Sequence, residues 1–304
     1  MGAAKGGSVS DQDDTKKFRE SVLKDAPRLG PADGFQFGCH PGVPCFNECC
    51  ADVNIFLTPY DIVRMKNRLG VSSDEFLAKY AVIPFTKEQR LPVVVLRMSD
   101  DEQKRCPFVT EAGCGIYEDR PWACRMYPLG LASPGEYEQG AEEFYFLLEE
   151  AGCKGFGEPK TQTISEWLEA QGITEYNEMG DLFKKLTTHP KLQGDVDLSL
   201  AQMDMFHMAC YDLDKFRRFV FESSVLERID VPADRVEAMR CDDVALMAFA
   251  LEWLRFSICS EPTLKIRHDV REKREQELSE VIAARREAAL KQKQEQEQEQ
   301  DESK

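Results

Sequence analysis

The pattern of hydrophobic and polar positions predicts short β-strands in the first half of the chain and longer helices in the second. Phe35 and Phe37 alternate with small or polar residues, which predicts a short strand that leads into Cys39. Runs of β-branched and aromatic residues predict further strands, because such side chains pack well on a pleated sheet. These strands are expected at residues 91–98 and 142–148, with a hairpin between residues 106 and 117.

Two helices in the first half begin at clear capping signals. Thr58 is followed by a proline and, three residues after itself, by Asp61, which predicts a helix start. Gly70 predicts the end of that helix. Ser72 and Glu75 repeat the capping pattern and predict a second helix. We expect both helices to pack beside a cysteine-containing loop and to carry no chemistry themselves.

The spacing of apolar residues becomes helical after about residue 160. A broad apolar stripe predicts one helix over residues 203–222. Residues 244–257 are nearly all apolar, so we expect a deeply buried helix there. Shorter helices are predicted at residues 164–170, at residues 176–186, and after Pro121.

The two ends of the chain are polar. Residues 1–17 and 291–304 cannot bury enough apolar surface to offset the entropy of ordering them, so we expect both to be disordered. Residues 265–290 mix charges of both signs in a helix-forming sequence. Their apolar positions do not keep a heptad, which favours a solvated, fraying helix over a coiled coil.

Together these patterns predict an α+β protein. The expected parts are a disordered N-terminus (1–17), an irregular cysteine-rich domain with short strands, a hairpin and flanking helices (18–160), a helical segment packed on it (161–262), and a charged helical or disordered tail (263–304). A chain of 304 residues is long enough to bury a substantial core.

Composition and charge exclude several classes of partner. The net charge of −16 argues against nucleic acid, which attracts clustered Lys and Arg, and against anionic membrane surfaces. We expect no signal peptide and no membrane span, because no apolar stretch of the required length occurs. The expected location is therefore the reducing cytoplasm, where disulfides are rare and clustered cysteines more often bind metal.

Eight of the eleven cysteines lie between residues 39 and 153. Thiolates are ligands for zinc and for iron–sulfur clusters, and reduced thiols this dense are otherwise prone to oxidation. The sequence therefore predicts that residues 18–160 bind a metal. The expected ligands are Cys39, Cys45, Cys49, Cys50, Cys106, Cys114, Cys124 and Cys153.

The spacing of these cysteines is irregular. It differs from the two C-x2-C pairs of a zinc ribbon and from the closely spaced cysteines of a ferredoxin. Neighbouring side chains in an extended segment point to opposite faces, so Cys49 and Cys50 are expected to face different sites unless the backbone turns sharply. The eight thiolates could form two four-ligand sites, or one cluster with spare, redox-active cysteines. An iron–sulfur cluster is slightly favoured over zinc.

Other residues near the cysteines have structural or supporting interpretations. Arg120, Arg125 and Lys154 flank predicted ligands and are candidate donors to sulfur. His40 is a weak alternative ligand to Cys39. The three remaining cysteines, Cys210, Cys241 and Cys259, lie on helical patterns and are expected to serve as small apolar residues.

Three cysteine segments resemble the YkgJ-type cysteine-cluster family. They are Cys39…Cys45-x3-Cys49-Cys50, then Cys106-Pro-Phe, and then the run from Gly113 to Pro128, Gly-Cys-Gly-Ile-Tyr-Glu-Asp-Arg-Pro-Trp-Ala-Cys-Arg-Met-Tyr-Pro. Members of this family are described as zinc- or iron-chelating domains. Many place two residues between the first two cysteines, whereas this chain has five.

The cysteines and the resemblance together leave three functions open. The first is a metal-binding cysteine-cluster protein whose reaction the family does not specify. The second is an S-adenosylmethionine-dependent lysine N-methylase, because the flagellin lysine N-methylases share the cysteine framework, although no recognisable cofactor loop is present. The third is a scaffold with a structural metal, whose helical tail binds a protein partner.

Overall fold

A computed structural model describes residues 26–84, 90–132, 143–194 and 197–302, with side chains described up to residue 289. The predicted disordered N-terminus, residues 1–17, lies outside these ranges. The helices are α1 (Pro59–Leu69), α2 (Ser73–Tyr80), α3 (Trp122–Met126), α4 (Ile164–Ala170), α5 (Ile173–Thr187), α6 (Pro190–Gln193), α7 (Leu200–Cys210), α8 (Leu213–Glu222), α9 (Val225–Arg228), α10 (Ala233–Cys241), α11 (Asp243–Ser257) and α12 (His268–Glu302).

The strands are short and pair antiparallel throughout the described residues. They are β1 (Gly34–Gln36), β2 (Phe56–Leu57), β3 (Ala81–Val82), β4 (Val94–Leu96), β5 (Val109–Thr110), β6 (Gly113–Cys114), β7 (Leu129–Ala132), β8 (Phe144–Leu147), β9 (Thr161–Thr163), β10 (Ile229–Asp230) and β11 (Lys265–Ile266). One sheet has three strands in the order β2-β4-β3, and the others are pairs: β1-β9, β5-β6, β7-β8 and β10-β11. The α+β fold class predicted from sequence is confirmed.

The helical second half shares one hydrophobic core with the first half. Phe76 of α2 packs in the same buried cluster as Phe206, Phe216 and Phe249 of α7, α8 and α11. A smaller cluster contains Phe35, Phe37, Met126, Leu129, Ile164, Trp167 and Ile173. The predicted burial of residues 244–257 is confirmed, because Leu246, Phe249, Ala250 and Leu254 are fully buried.

Polar contacts reinforce this packing where α1 and α2 meet α8 and α11. The ammonium group of Lys66 is buried and lies 2.7 Å from an Asp243 carboxylate oxygen and 3.6 Å from one of Asp214. Ser73, also buried, donates its hydroxyl to Asp212 (2.7 Å). Buried charges are stable only when they are paired, so these contacts fix how the two halves meet.

The prediction of one helix over residues 203–222 is wrong. The chain breaks between Cys210 and Leu213 into α7 and α8. Asp212 begins α8 as its N-cap and accepts a hydrogen bond from the amide of Lys215. The Ser73 hydroxyl holds that carboxylate and also accepts from the amide of Asp214 (2.9 Å). A contact with a residue far away in sequence therefore stabilises the break.

The C-terminal helix extends beyond the predicted helical segment. Residues predicted to be disordered from 291 onward are helical as far as Glu302. Ala, Glu, Gln, Lys and Arg are strong helix formers, which accounts for this extension. Ion pairs one turn apart add support, as between Arg271 and Glu275 (2.9 Å). Within the described residues, no helix is both long enough and apolar enough to cross a membrane.

Candidate metal centre

Pairing of β1 with β9 brings two distant cysteine segments together. The ladder of hydrogen bonds continues beyond the strands, where the amide of Gly38 donates to the carbonyl of Gly155 (3.0 Å). Gly38 immediately precedes Cys39, and Gly155 lies two residues after Cys153. Strand pairing therefore places the first and last cysteines of the cluster side by side.

Two further observations define a first quartet of cysteines around this point. Burial, together with the negative charges of Cys49, Cys45 and Cys153, raises the pKa of Cys39 to about 11. The amide of Lys154 donates to the sulfur of Cys45 at 3.1 Å. Charges perturb a thiol in this way only when they are close. The first quartet is Cys39, Cys45, Cys49 and Cys153.

Backbone hydrogen bonds assemble the remaining cysteines around Cys50. The amide of Cys106 donates to the carbonyl of Cys50 (2.8 Å), next to a β-bridge between Ala51 and Arg105. Cys114 follows in β6, paired directly with Val109 of β5. Three cysteines from separate segments thus meet at one end of the hairpin.

Cys124 joins this group from the short helix α3. Cys124 is exposed at the surface, yet the surrounding protein atoms raise its pKa to about 12. The thiolates of Cys106 and Cys114 and the Asp61 carboxylate add to this rise. The pKa of Cys106 is also raised, mainly by burial and in addition by Cys114. The second quartet is Cys50, Cys106, Cys114 and Cys124.

Cys49 and Cys50 belong to different quartets although they are adjacent in sequence. The thiols of Cys49 and Cys50 interact, and this interaction, together with the surrounding protein atoms, raises the pKa of Cys49. The same interaction lowers the pKa of Cys50, against burial and the charges of the second quartet. The eight predicted ligands therefore lie together as two groups of four, in contact through this pair.

The donor chemistry of each quartet fits a metal held by thiolates. Four cysteines form a complete ligand set for zinc or for an iron–sulfur cluster. Within the described residues, no group of three or more His, Cys, Asp or Glu side chains has the close spacing of a formed single-ion site. The cysteines of each quartet affect one another's pKa without converging on one point, because electrostatic interactions act over longer distances than metal–ligand bonds.

A buried hydroxyl group beside the first quartet lacks an acceptor that a charged sulfur could supply. The Tyr127 hydroxyl oxygen is inaccessible and has no hydrogen-bond partner of normal geometry. Burial raises the pKa of Tyr127, and the adjacent Cys153 sulfur raises it further, although that contact does not meet the geometry of a hydrogen bond. Buried polar groups rarely lack a partner, and a Cys153 thiolate would supply the missing acceptor.

The comparison with known protein families identifies this segment. Residues 38–154 match the family described as "CxxCxxCC: Putative zinc- or iron-chelating domain". Residues 38–154 are similar to that family, and we call them the cysteine-cluster domain. Its boundaries enclose all eight clustered cysteines and leave out the helices from α4 onward. No curated protein and no solved structure gives a significant match to the chain.

Two buried arginines, Arg120 and Arg125, lie near the thiols of the cysteine-cluster domain. Arg120 is buried, and its charge opposes the rise in pKa at both Cys39 and Cys124. Arg125 is buried too, but its guanidinium donates to the carbonyls of Arg120, Gln171 and Glu118. The Arg120 guanidinium also donates to the Tyr117 carbonyl and the Gln171 side chain, so both arginines stabilise the surrounding chain, and Arg120 in addition offsets negative charge at Cys39 and Cys124.

His40, the alternative ligand to Cys39, and the three remaining cysteines have other surroundings. Both ring nitrogens of His40 have other partners, the Glu158 carboxylate (3.1 Å) and the Gly42 amide (3.1 Å). Cys210 and Cys259 are buried, as expected, whereas the expectation is wrong for Cys241, which is exposed at the end of α10. Burial raises the pKa of Cys210 well above its ordinary value, as expected for a small apolar residue in the core.

The sequence did not predict a role for Asp61 or Tyr127 in the cysteine-cluster domain. Asp61 was recognised only as part of a helix cap, yet its carboxylate is fully buried and lies near Cys124. A capping residue inside an otherwise apolar helix face was the available signal. Tyr127 follows Cys124 closely in sequence, but nothing in the sequence indicated that its hydroxyl would face Cys153.

Proposed function

We propose that the cysteine-cluster domain binds two metal centres, one in each quartet. The proposal is carried by the grouping of the thiols, in which Cys49 lies near Cys39 while Cys50 lies near Cys106, Cys114 and Cys124. A single tetrahedral ion uses four thiolates, so it would leave four reduced thiols exposed to oxidation. Two four-thiolate centres use all eight.

We favour iron–sulfur clusters over zinc as the occupants. Zinc–sulfur bonds are about 2.3 Å long, so four thiolates around one zinc lie in close mutual contact. The described cysteines are neighbours without that convergence. A cluster holds its thiolates on separate metal atoms, which suits a wider arrangement. When bound, a cluster supplies one-electron transfer, whereas zinc would supply a structural crosslink.

The protein's own contribution is to stabilise negative charge on sulfur. The Lys154 amide already donates to Cys45, and the Tyr127 hydroxyl is placed beside Cys153. The positive charge of Arg120 offsets negative charge at Cys39 and at Cys124, one thiol of each quartet. Hydrogen bonds and nearby cations of this kind tune metal affinity and reduction potential.

The test is metal and sulfide analysis of protein purified without oxygen, together with its absorption spectrum. We expect iron and acid-labile sulfide in comparable amounts and a brown, reducible chromophore. Cys241→Ser is the matched control, because it removes an exposed cysteine outside both quartets and should leave these values unchanged. Colourless protein loaded with zinc would overturn the choice of cluster, and substoichiometric iron, sulfide and zinc would overturn the proposal itself.

A further inference from the structure

The Asp61 carboxylate connects two helices of the cysteine-cluster domain. Asp61 is fully buried in α1. One carboxylate oxygen accepts from the amide (2.7 Å) and hydroxyl (2.8 Å) of Thr58, which completes the N-terminal cap of α1. The other oxygen accepts from the amide of Trp122 (2.8 Å), at the start of α3. Every donor therefore points at a carboxylate that water does not reach.

Capping alone does not explain why this carboxylate is buried. The caps of α2 and α4 use the same arrangement with Glu75 and Glu166, and both of those side chains are exposed. Burial of a carboxylate is costly unless its oxygens are satisfied. The distinctive feature of Asp61 is the third hydrogen bond, from Trp122.

The helix that receives this bond depends on outside support. α3 has five residues, too few for a helix that is stable by itself. Its N-cap is Pro121, which provides no side-chain hydrogen bond. Trp122 is held at its amide by Asp61 and at its indole nitrogen by Asn177 of α5 (2.8 Å). Cys124 follows Trp122 by two residues, so it lies on the same short helix.

We propose that Asp61 is a positioning residue that holds Cys124 in the second quartet. The proposal rests on the two-centre function above and assigns Asp61 to one centre only. Loss of the carboxylate frees the Trp122 amide, and α3 then no longer presents Cys124 at a fixed place. Some residues hold a metal ligand in place without binding the metal themselves. Their removal typically lowers metal affinity about 10- to 100-fold.

The test compares metal release in backgrounds that keep one centre each. Cys153→Ser disables the first quartet and Cys124→Ser the second, and Asp61→Ala is added to each. Anaerobically purified proteins are mixed with an excess of chelator, and release of the bound metal is followed over time. We expect Asp61→Ala to speed release about 10- to 100-fold with Cys153→Ser and to leave it unchanged with Cys124→Ser.

Two further variants separate positioning from general stability. Glu75→Ala removes an exposed cap of the same kind and should leave both release rates unchanged. Asp61→Asn keeps an oxygen that can accept from Trp122, so its release rate should lie between those of Asp61→Ala and the parent. It also serves as the test if Asp61→Ala does not fold. Equal acceleration of both centres, or of neither in folded protein, would overturn the assignment.

A readout without metal distinguishes this proposal from the two-centre function. In metal-free protein, iodoacetamide labelling of each cysteine is followed by mass spectrometry. Asp61→Ala should increase the labelling rate of Cys124 relative to Cys153, because only Cys124 is on the released helix. Unchanged relative labelling would contradict the role of Asp61, whereas wild-type protein without metal would contradict the two-centre function alone.

Discussion

The thiol of Cys49 interacts with that of the adjacent Cys50, which raises the pKa of Cys49 and lowers that of Cys50, although the two residues lie in different quartets. A backbone hydrogen bond from Cys106 explains why the two residues lie in different quartets. The Cys50 carbonyl accepts from Cys106, which draws residue 50 towards the hairpin, while Cys49 stays with Cys39. One peptide bond thus separates the two candidate centres.

Serine at either position should remove one centre and spare the other. Cys49→Ser takes a ligand from the first quartet and Cys50→Ser takes one from the second. We expect each variant to keep about half the wild-type metal, since four thiolates complete a centre. The double variant should retain little or none, and metal analysis of the three proteins provides the comparison. Complete loss of metal in either single variant would indicate one shared centre.

Alanine at Gly155 should weaken the first centre. A Cβ atom there would lie 2.6 Å from the Gly38 carbonyl oxygen and 2.7 Å from the Phe37 ring, so strand and loop must move apart. Such overpacking typically costs about 1–3 kcal/mol. We expect lower thermal stability and faster metal release from the quartet that contains Cys153. Gly157→Ala is the matched control, because nothing lies within 4 Å of its Cβ position.

Phenylalanine at Tyr127 should have opposite effects on the metal-free and metal-loaded protein. In the metal-free chain the change removes a buried hydroxyl without a partner, and such a group costs about 1–3 kcal/mol. In the loaded protein it removes a donor beside Cys153. Thermal unfolding should therefore show a higher melting temperature without metal and a smaller gain on loading. An equal shift in both states would show that the hydroxyl does not interact with the centre.

The stability of the helical half should fall in acid because of Asp243. Burial opposes the ionised form, but hydrogen bonds and charge from Lys66, together with Arg217, lower the pKa of Asp243 overall. Its stabilising effect is present above the ordinary pKa of about 3.9 and is lost as the pH falls through the lowered folded value. Asp243→Asn should be less stable at neutral pH and show a flatter loss below about pH 4. An unchanged acid profile in denaturant unfolding would contradict this role.

Lys66 is the buried partner of the Asp243 carboxylate, and its removal should strongly destabilise the folded protein. Lys66→Ala leaves Asp243 and Asp214 without their shared cation. Breaking a buried ion pair from one side typically costs about 3–5 kcal/mol. Urea unfolding should report a loss of that order. Lys104→Ala is the control, because its ion pair with Asp52 is exposed and such pairs contribute about 0–1 kcal/mol.

Local signals in the sequence predicted much of the fold. Capping residues marked both ends of α1 and the start of α2, and the strand before Cys39 is present as β1. These features depend on neighbours within a few residues, which a sequence displays directly. The break between α7 and α8 was missed because Ser73, from a distant helix, holds the Asp212 carboxylate that caps α8.

The candidate site was predictable as a set of residues but not as two groups. All eight cysteines could be named from their density. Strand geometry predicted opposite orientations for Cys49 and Cys50 unless the backbone turns sharply, and residues 45–49 do form turns, which leave the two thiols in contact. Membership of each quartet depends on long-range pairing instead. The bonds between Gly38 and Gly155 and between Cys50 and Cys106 join segments that no local pattern connects.

The most direct test of the two-centre claim is the intact mass of the anaerobically purified protein, measured by native mass spectrometry. The wild-type chain should carry the added mass of two centres, and a ligand substitution in either quartet should reduce this to one. A wild-type chain that carries a single centre at full occupancy, or none, would contradict the claim.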